Sequence, residues 1–340
     1  MKKVVCFGEI MLRLGTEGYL RFLQADKMMV NYTGAEANVA VALAQFGMQT
    51  EVVTKLPDND ISKAAIATMK KFGAGVDHIA LGGERIGVYY IEKGASQRAS
   101  KVIYDRKNTA ISESNREDFN WELILEGADA FIFTGITAAL GKNLPAIIED
   151  ACKVAKKKGV LVFCDLNYRK NLWTPEQAQS VMKELVKNVD ILIGNEEDTE
   201  KVLGIKAGES DVTQGDLDFD SYSKVAKLLS DTYGFKYVAT TLRKSISASD
   251  NKWSGLLYQK GETFHSKEYD IRIVDRVGGG DSFASGLIYA ILNQYDPQKS
   301  VEFAVAASCL KHSIELDFNL VTVDEITSLM NGDGSGRVQR

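Results

Sequence analysis

Asp275-Arg276-Val277-Gly278-Gly279-Gly280-Asp281-Ser282-Phe283 is the stretch on which the fold reading turns. Three glycines run into an aspartate, and Phe283, Ala284, Gly286, Leu287, Ala290 and Ile291 then recur at helical spacing. Glycines ahead of a helix leave backbone N–H groups free to face an anion, and the helix N-terminus adds partial positive charge. A carboxylate is out of place in such a nest unless it takes up a proton while the amides hold a phosphoryl group. The plainer alternative is a glycine-rich loop with Asp281 as an ordinary N-cap.

Working outward, short apolar runs alternate with helical patterns. Val4–Gly8, Glu51–Thr54, Ala128–Thr134, Leu161–Asp165, Ile191–Gly194 and Tyr237–Thr241 read as strands. Ala35–Phe46, Ile61–Phe72, Ala146–Lys157, Pro175–Lys187, Glu196–Leu203, Asp281–Asn293, Val301–Glu315 and Val323–Leu329 read as helices. Such alternation predicts an α/β fold, a three-layer sandwich with a central, mostly parallel sheet. One catalytic unit is expected over residues 1–331, with a flexible polar tail over 332–340.

Two regions break the alternation, at about 10–33 and 84–107. In Met11–Leu14 with Leu20–Val30, and in Ile86–Glu92 with Ser100–Arg106, the pattern becomes period-two and partly polar. These read as strands of a small lid over the strand ends, where α/β sheets bind ligands. A lid would keep water from a phosphoryl transfer. The competing reading is an edge hairpin with no moving part.

Composition narrows the class. The 340 residues are 45% hydrophobic and carry 41 Lys+Arg against 46 Asp+Glu, a net charge of −5. That suffices for a large core, and without a basic run it argues against nucleic acid as partner. No apolar run approaches a membrane span, and Met1–Gly8 reads as a buried first strand rather than a leader. A cytoplasmic location is expected. Cys6, Cys152, Cys164 and Cys309 are widely spaced in apolar contexts and read as reduced core residues, and the three histidines share no metal-ligand spacing.

Tyr32-Thr33-Gly34-Ala35-Glu36-Ala37-Asn38-Val39-Ala40 resembles the first signature of the ribokinase-like (PfkB) sugar kinases, and Val274–Phe283 resembles the second. Both stand in the expected order at opposite ends of the chain. Asp165-Leu166-Asn167-Tyr168-Arg169-Lys170-Asn171-Leu172-Trp173 is similar to the D-x-N-x-R-x-x-L-W stretch of the 2-keto-3-deoxygluconate kinases within that family. The resemblance implies ATP-dependent phosphorylation of a small sugar acid, with Mg²⁺ and a monovalent-cation site left open by Arg276, where threonine is common.

The same resemblance assigns roles. Asp281 would be the general base, and the amides of Gly278, Gly279 and Gly280 the anion hole. Gly34, Asn38, Tyr89, Tyr104, Arg106, Arg169 and Asp317 would contact the sugar acid, whose carboxylate calls for the arginine forks. Asn167, Arg169, Asn195, Thr241, Arg243 and Ser245, with Gly278 and Gly280, would contact nucleotide. Asn195 and Asp198 would serve the metal through water, although Asp198 replaces a longer glutamate and could instead cap its helix. Lys244 replaces a customary turn glycine, so the turn at Thr241–Ser245 should differ. A fructokinase or other hexose kinase is the near alternative, and a non-catalytic sugar-binding homologue the distant one. A dinucleotide-binding fold is disfavoured, since Gly8-Glu9-Ile10-Met11 offers one glycine only. Exposed apolar positions Val88, Tyr90 and Ile103 predict a homo-oligomer formed through the lid strands.

Overall fold

The computed structural model of the protein describes residues 1–206 and 219–334. The first half holds β1 (Lys3–Phe7), β2 (Met11–Gly15), β3 (Met29–Thr33), α1 (Ala35–Gln45), β4 (Gln49–Leu56) and α2 (Asp60–Lys71). There follow β5 (Ile79–Leu81), β6 (Gly87–Glu92), β7 (Lys101–Asp105), α3 (Trp121–Ile124), β8 (Ala130–Thr134), α4 (Gly135–Ala139) and α5 (Leu144–Lys158). The second half holds β9 (Leu161–Asp165), α6 (Pro175–Leu185), β10 (Ile191–Gly194), α7 (Glu196–Leu203), α8 (Phe219–Tyr233) and β11 (Tyr237–Ser245). It closes with β12 (Asp250–Gln259), β13 (Glu262–His265), β14 (Tyr269–Arg272), α9 (Gly279–Leu292), α10 (Pro297–Lys311) and α11 (Val323–Met330).

The main sheet runs in the order β13-β12-β11-β10-β9-β8-β1-β4-β5, with β14 also on β12. From β5 to β11 every pairing is parallel, whereas β12 pairs antiparallel with β11, β13 and β14. Alternate residues of each central strand feed opposite cores. Val4, Cys6 and Ile132 join the cluster containing α1, α9 and α10, while Val5, Phe7, Phe131 and Phe133 join the one containing α5 and α6. A strand buried on both faces must be apolar throughout, which is why these runs lack a polar alternation. Each fully buried phenylalanine contributes about 1.5–3 kcal/mol.

The lid is a separate four-stranded sheet in the order β3-β2-β6-β7. Its central pair β2–β6 is parallel and its outer pairs are antiparallel. The expected strand over Leu20–Val30 is corrected: the chain turns through a short 3₁₀ segment at Phe22–Gln24, and strand begins only at Met29. The intervening Gln24, Ala25, Asp26 and Lys27 offer no β-forming pattern.

Two helix boundaries matter for function. α9 begins at Gly279, two residues before Asp281, so Gly279 and Gly280 belong to its first turn. α10 starts at Pro297, with Asp296 Oδ1 accepting from Lys299 N at 2.9 Å, and ends at Lys311 rather than Glu315. The Asp-Pro start is a capping signal that the hydrophobic pattern hid. The Thr241–Ser245 segment, expected as an altered turn, is continuous strand paired residue by residue with β12 from Leu242↔Ser254 to Ser245↔Asn251. All four cysteines are free. Among the described residues no helix is long and apolar enough to cross a membrane. Of the expected tail, residues 335–340 lie outside the described residues.

Candidate active site

A cleft of about 1560 Å³ opens at the carboxyl ends of β8, β9, β10 and β11, between the main sheet and the lid. Asp165 ends β9, Asn195 follows β10 and Thr241 lies on β11, so successive parallel strands deliver polar groups to one edge, as open α/β sheets do. The lid adds Met11, Tyr89, Tyr104 and Arg106, and the Gly278–Asp281 corner closes one end.

At that corner Gly278 adopts φ 84°, a left-handed conformation that favours glycine, and caps α9. A Cβ on Gly278 would lie 2.1 Å from the Asp317 carbonyl oxygen, and one on Gly279 2.7 Å from the His312 ring. A Cβ on Gly280 would meet nothing within 4 Å. Two glycines are thus imposed by packing, and the third faces open cleft. First-turn amides of a helix have no intrahelical acceptor; here Gly279 N makes a long bond of 3.4 Å to the Arg276 carbonyl, and the turn leaves its further N–H groups for the space beside Asp281.

Asp281 is half-buried, and its Oδ2 accepts from Asn38 Nδ2 at 2.7 Å. Burial pushes its carboxyl up to about 6, against the lowering pull of the Asn38 hydrogen bond and of the Arg169 and Lys311 charges. It is therefore ionised at neutral pH yet basic enough to take a proton. Asn38 was expected to hold sugar hydroxyls. Its Oδ1 accepts from Thr33 Oγ1 at 2.7 Å and its Nδ2 donates to Asp281, so its first partners are protein groups. Gly34 likewise answers a protein contact, since a Cβ there would stand 1.8 Å from the Glu9 carbonyl oxygen.

The expected sugar-side residues divide in two. Arg106 is buried, and its Nε and Nη2 donate to Glu9 Oε2, the Nε contact at 3.0 Å. Its guanidinium also lies 5.1 Å from the Tyr104 ring centroid. Arg106 is thus largely neutralised from within, and burial raises the Glu9 carboxyl despite that arginine. Arg169 differs: it is exposed in the cleft, donates to the Tyr168 carbonyl at 2.8 Å, and has no ion pair among the described residues. Tyr89 and Asp317 are buried against each other, the Tyr89 hydroxyl donating to Asp317 Oδ2. Asp317 also accepts from Arg13 Nη1, while Arg13 Nη2 donates to Asp275 at 2.8 Å.

On the opposite side, Asn167 takes φ 38° just past β9 and is buried, while Thr241 and Arg243 line the cleft. Ser245 sits at the exposed end of β11, outside the cleft lining. Asn195 caps α7, its Oδ1 accepting from Asp198 N at 2.8 Å, so the capping role weighed for Asp198 belongs to Asn195. The Asp198 carboxylate instead accepts from Tyr168 N at 3.1 Å, and burial raises it to about 6. Burial, with the nearby Asp198 and Asp281 charges, also raises Asp165 well above the usual range.

The pfkB family carbohydrate kinase pattern matches residues 1–313. The chain belongs to that family. A structure of 2-dehydro-3-deoxygluconokinase from Thermotoga maritima is 54% identical, with a TM-score of 0.94, over 97% of this chain and 98% of the other. A pfkB family carbohydrate kinase structure from Listeria grayi is 32% identical, TM-score 0.90, over 97% and 100%. A 2-dehydro-3-deoxygalactonokinase from Haloferax volcanii is 28% identical over 98% of each chain. The fold is ribokinase-like, and the protein is a sugar kinase.

Several residues of this carbohydrate kinase site escaped the sequence reading. Glu9 follows the first strand, and Arg13 sits inward on a lid strand where period-two alternation calls for an apolar residue. Such a misplaced charge was the available signal. Arg276 lines the cleft and donates to the Ala248 carbonyl at 3.3 Å; it lay in the quoted motif but was read only as a replacement for threonine.

Proposed function

We propose that this kinase, acting as one unit over residues 1–331, transfers the γ-phosphoryl of ATP to 2-dehydro-3-deoxy-D-gluconate, giving the 6-phosphate. The observation that carries the substrate class is Arg169, a cation exposed in the cleft of Asp281 without an ion pair among the described residues. A carboxylate-bearing substrate would pair with it, an ion pair that a neutral hexose cannot make, while its charge also favours the ionised Asp281. The Thermotoga maritima relative, at 54% identity, supports the same substrate.

In this reading Asp281 accepts the proton of the primary hydroxyl as its oxygen bonds to phosphorus, and the bond to ADP breaks on the far side. The amides of Gly278, Gly279 and Gly280 hold the transferred group as charge builds. Tyr89, Tyr104, Asp317 and Gly34 shape the acceptor pocket, with Asn38 holding Asp281 and Arg106 at its rim. Asn167, Asn195, Thr241 and Arg243, joined by Arg276, face the nucleotide.

The donor set fits Mg²⁺ in a limited way. Among the described residues no group of three or more His, Cys, Asp or Glu side chains could hold a metal ion. Asp165 and Asp198 line the cleft with raised carboxyls. Mg²⁺ commonly keeps waters and binds through one or two carboxylates plus phosphates, so Asp198 acting through water suits it. Asn195 Oδ1 is committed to capping, which leaves its amide N–H₂ for water or phosphate. When bound, the ion would neutralise the triphosphate.

We further infer a cytoplasmic homo-oligomer built through the lid. All of β7 is exposed, Val102 40%, Ile103 55% and Tyr104 41%, and Val30 on the opposite edge is 60% exposed. Val88 and Tyr90, named from sequence, are half-buried, which shifts the sticky surface to β7 and β3. Light scattering on the purified chain tests this: a dimer or larger is expected, and a monomer at micromolar concentration contradicts it.

The substrate test is ADP release with ketodeoxygluconate, its C4 epimer and fructose. Ketodeoxygluconate should give the highest kcat/KM. Preference for the epimer would favour the activity named for the Haloferax volcanii relative, and preference for fructose would refute the arginine argument.

A further inference from the structure

Lys311, the last residue of α10, is 0% exposed. A lysine at a helix C-terminus is unremarkable, but a fully buried one is costly unless its charge is used. Its Nζ donates to the Ile314 carbonyl at 3.2 Å, and it has no carboxylate at ion-pair distance among the described residues. Asp275, an acid that faces it, is already paired with Arg13. The end of the lysine stem packs under the glycine corner: Lys311 Cε lies 3.3 Å from the position of a Cβ on Gly278. Arg13 brings one positive charge to the two carboxylates it pairs, so that buried trio is left with an excess negative charge behind the corner under which Lys311 packs.

We propose that Lys311 is a positioning residue for phosphoryl transfer, its buried ammonium holding the Asp275–Gly278 corner and setting a positive field behind the amides that receive the transferred group. It touches no reacting atom. It acts through the corner and through Asp281, whose carboxylate form its charge favours. The groups facing it are Asp275 and Asp281, which stabilise the ammonium, and Arg13 and Lys93, which oppose it. Burial outweighs the acids and brings the ammonium down to about 8. The inference rests on the reading of Gly278–Gly280 as the phosphoryl hole.

Lys311→Met keeps the volume and removes the charge. It should lower kcat by about tenfold or more at pH 7.5 with KM for the sugar changed by less than about threefold, as expected for a lost field at a developing charge. The acid limb of kcat/KM should also move to higher pH by about half a unit to one unit, the size expected for losing one charge several ångströms away. In Lys311→Ala, ammonium or methylammonium should restore turnover where tetramethylammonium at equal ionic strength does not. Lower thermal stability with unchanged kcat and an unmoved acid limb would overturn the proposal. Should neither variant fold, the wild-type enzyme decides: binding of a non-hydrolysable ATP analogue should weaken above pH 8 while sugar binding holds, and equal affinity at pH 7 and 9.5 would overturn it. An enzyme that phosphorylates no sugar would instead sink the functional reading on which this one rests.

Discussion

Replacing Gly280 by alanine separates catalysis from folding with opposite signs. A Cβ at this position meets nothing within 4 Å, and Gly280 sits in the first turn of α9 with an ordinary backbone. By helix propensity alone the substitution should stabilise the protein by up to about 1 kcal/mol. In a chain of this size that raises Tm by about 2 °C at most. The open space, however, is the cleft beside Asp281, where in the proposed mechanism the methyl would crowd the transferred phosphoryl group. The alanine keeps its N–H but pushes the phosphoryl group away from the amides, and loss of one such contact costs about 10²–10³ in rate. The assay is a thermal melt paired with ADP release on the same preparation. Gly280→Ala should melt at or slightly above the wild-type temperature and turn over about a hundredfold more slowly. Gly279→Ala is the control: its Cβ would press to 2.7 Å on the buried His312 ring, which lies tilted against Trp253 with centroids 5.1 Å apart. That variant should lose about 1–3 kcal/mol from overpacking. Full activity in Gly280→Ala would refute the anion-hole reading; a large loss of stability would refute the geometry.

Further outcomes follow from the charges around the cleft. The Asp281 carboxyl, raised to about 6, can serve as the proposed base only when ionised, so kcat/KM should be flat near pH 7.5 and fall below about pH 6. Asp198 is raised to about 6 beside it, and burial raises Asp165 as well, so that limb belongs to the group rather than to one residue. Asn38→Ala removes the hydrogen bond that favours the carboxylate and should shift the limb to higher pH; an unmoved limb would remove Asn38 from that role. Arg169→Ala should raise KM for the sugar acid by about tenfold or more with little change in Tm, since an exposed arginine without an ion pair leaves nothing buried behind. Arg106→Ala should behave oppositely, destabilising by about 3–5 kcal/mol because Glu9 would keep a buried, unpaired carboxylate. Arg13→Met should likewise cost several kcal/mol by orphaning Asp275 and Asp317, which chemical denaturation would reveal as a lower midpoint.

Much of this architecture is legible in local sequence. The central strands are doubly buried, so their apolar runs stand out, and β9, β10 and α7 fall where the pattern puts them. The antiparallel edge β12–β14 is less legible, because its partly exposed strands mix polar and apolar residues without a strict period. Asp281, Gly278 and Arg169 could be found because they lie inside compact motifs. Arg13 and Glu9 could not, because their meaning is a long-range pairing, Arg13 meeting Asp275 and Asp317 across 262 and 304 residues of chain, and Lys311 could not, because only tertiary packing buries it. Long-range pairing also recast Arg106, a sugar-acid cation by motif but a partner of Glu9 by contact.

The most direct test of the account is Asp281→Asn, assayed for turnover of 2-dehydro-3-deoxy-D-gluconate with ATP and for binding of the sugar acid by calorimetry. The amide keeps the shape and can still face Asn38, but it cannot take up a proton. Turnover should fall by about 10²–10⁴, the range of general-base assistance, while sugar-acid affinity stays within about threefold. Turnover at the wild-type rate would contradict the account at its centre.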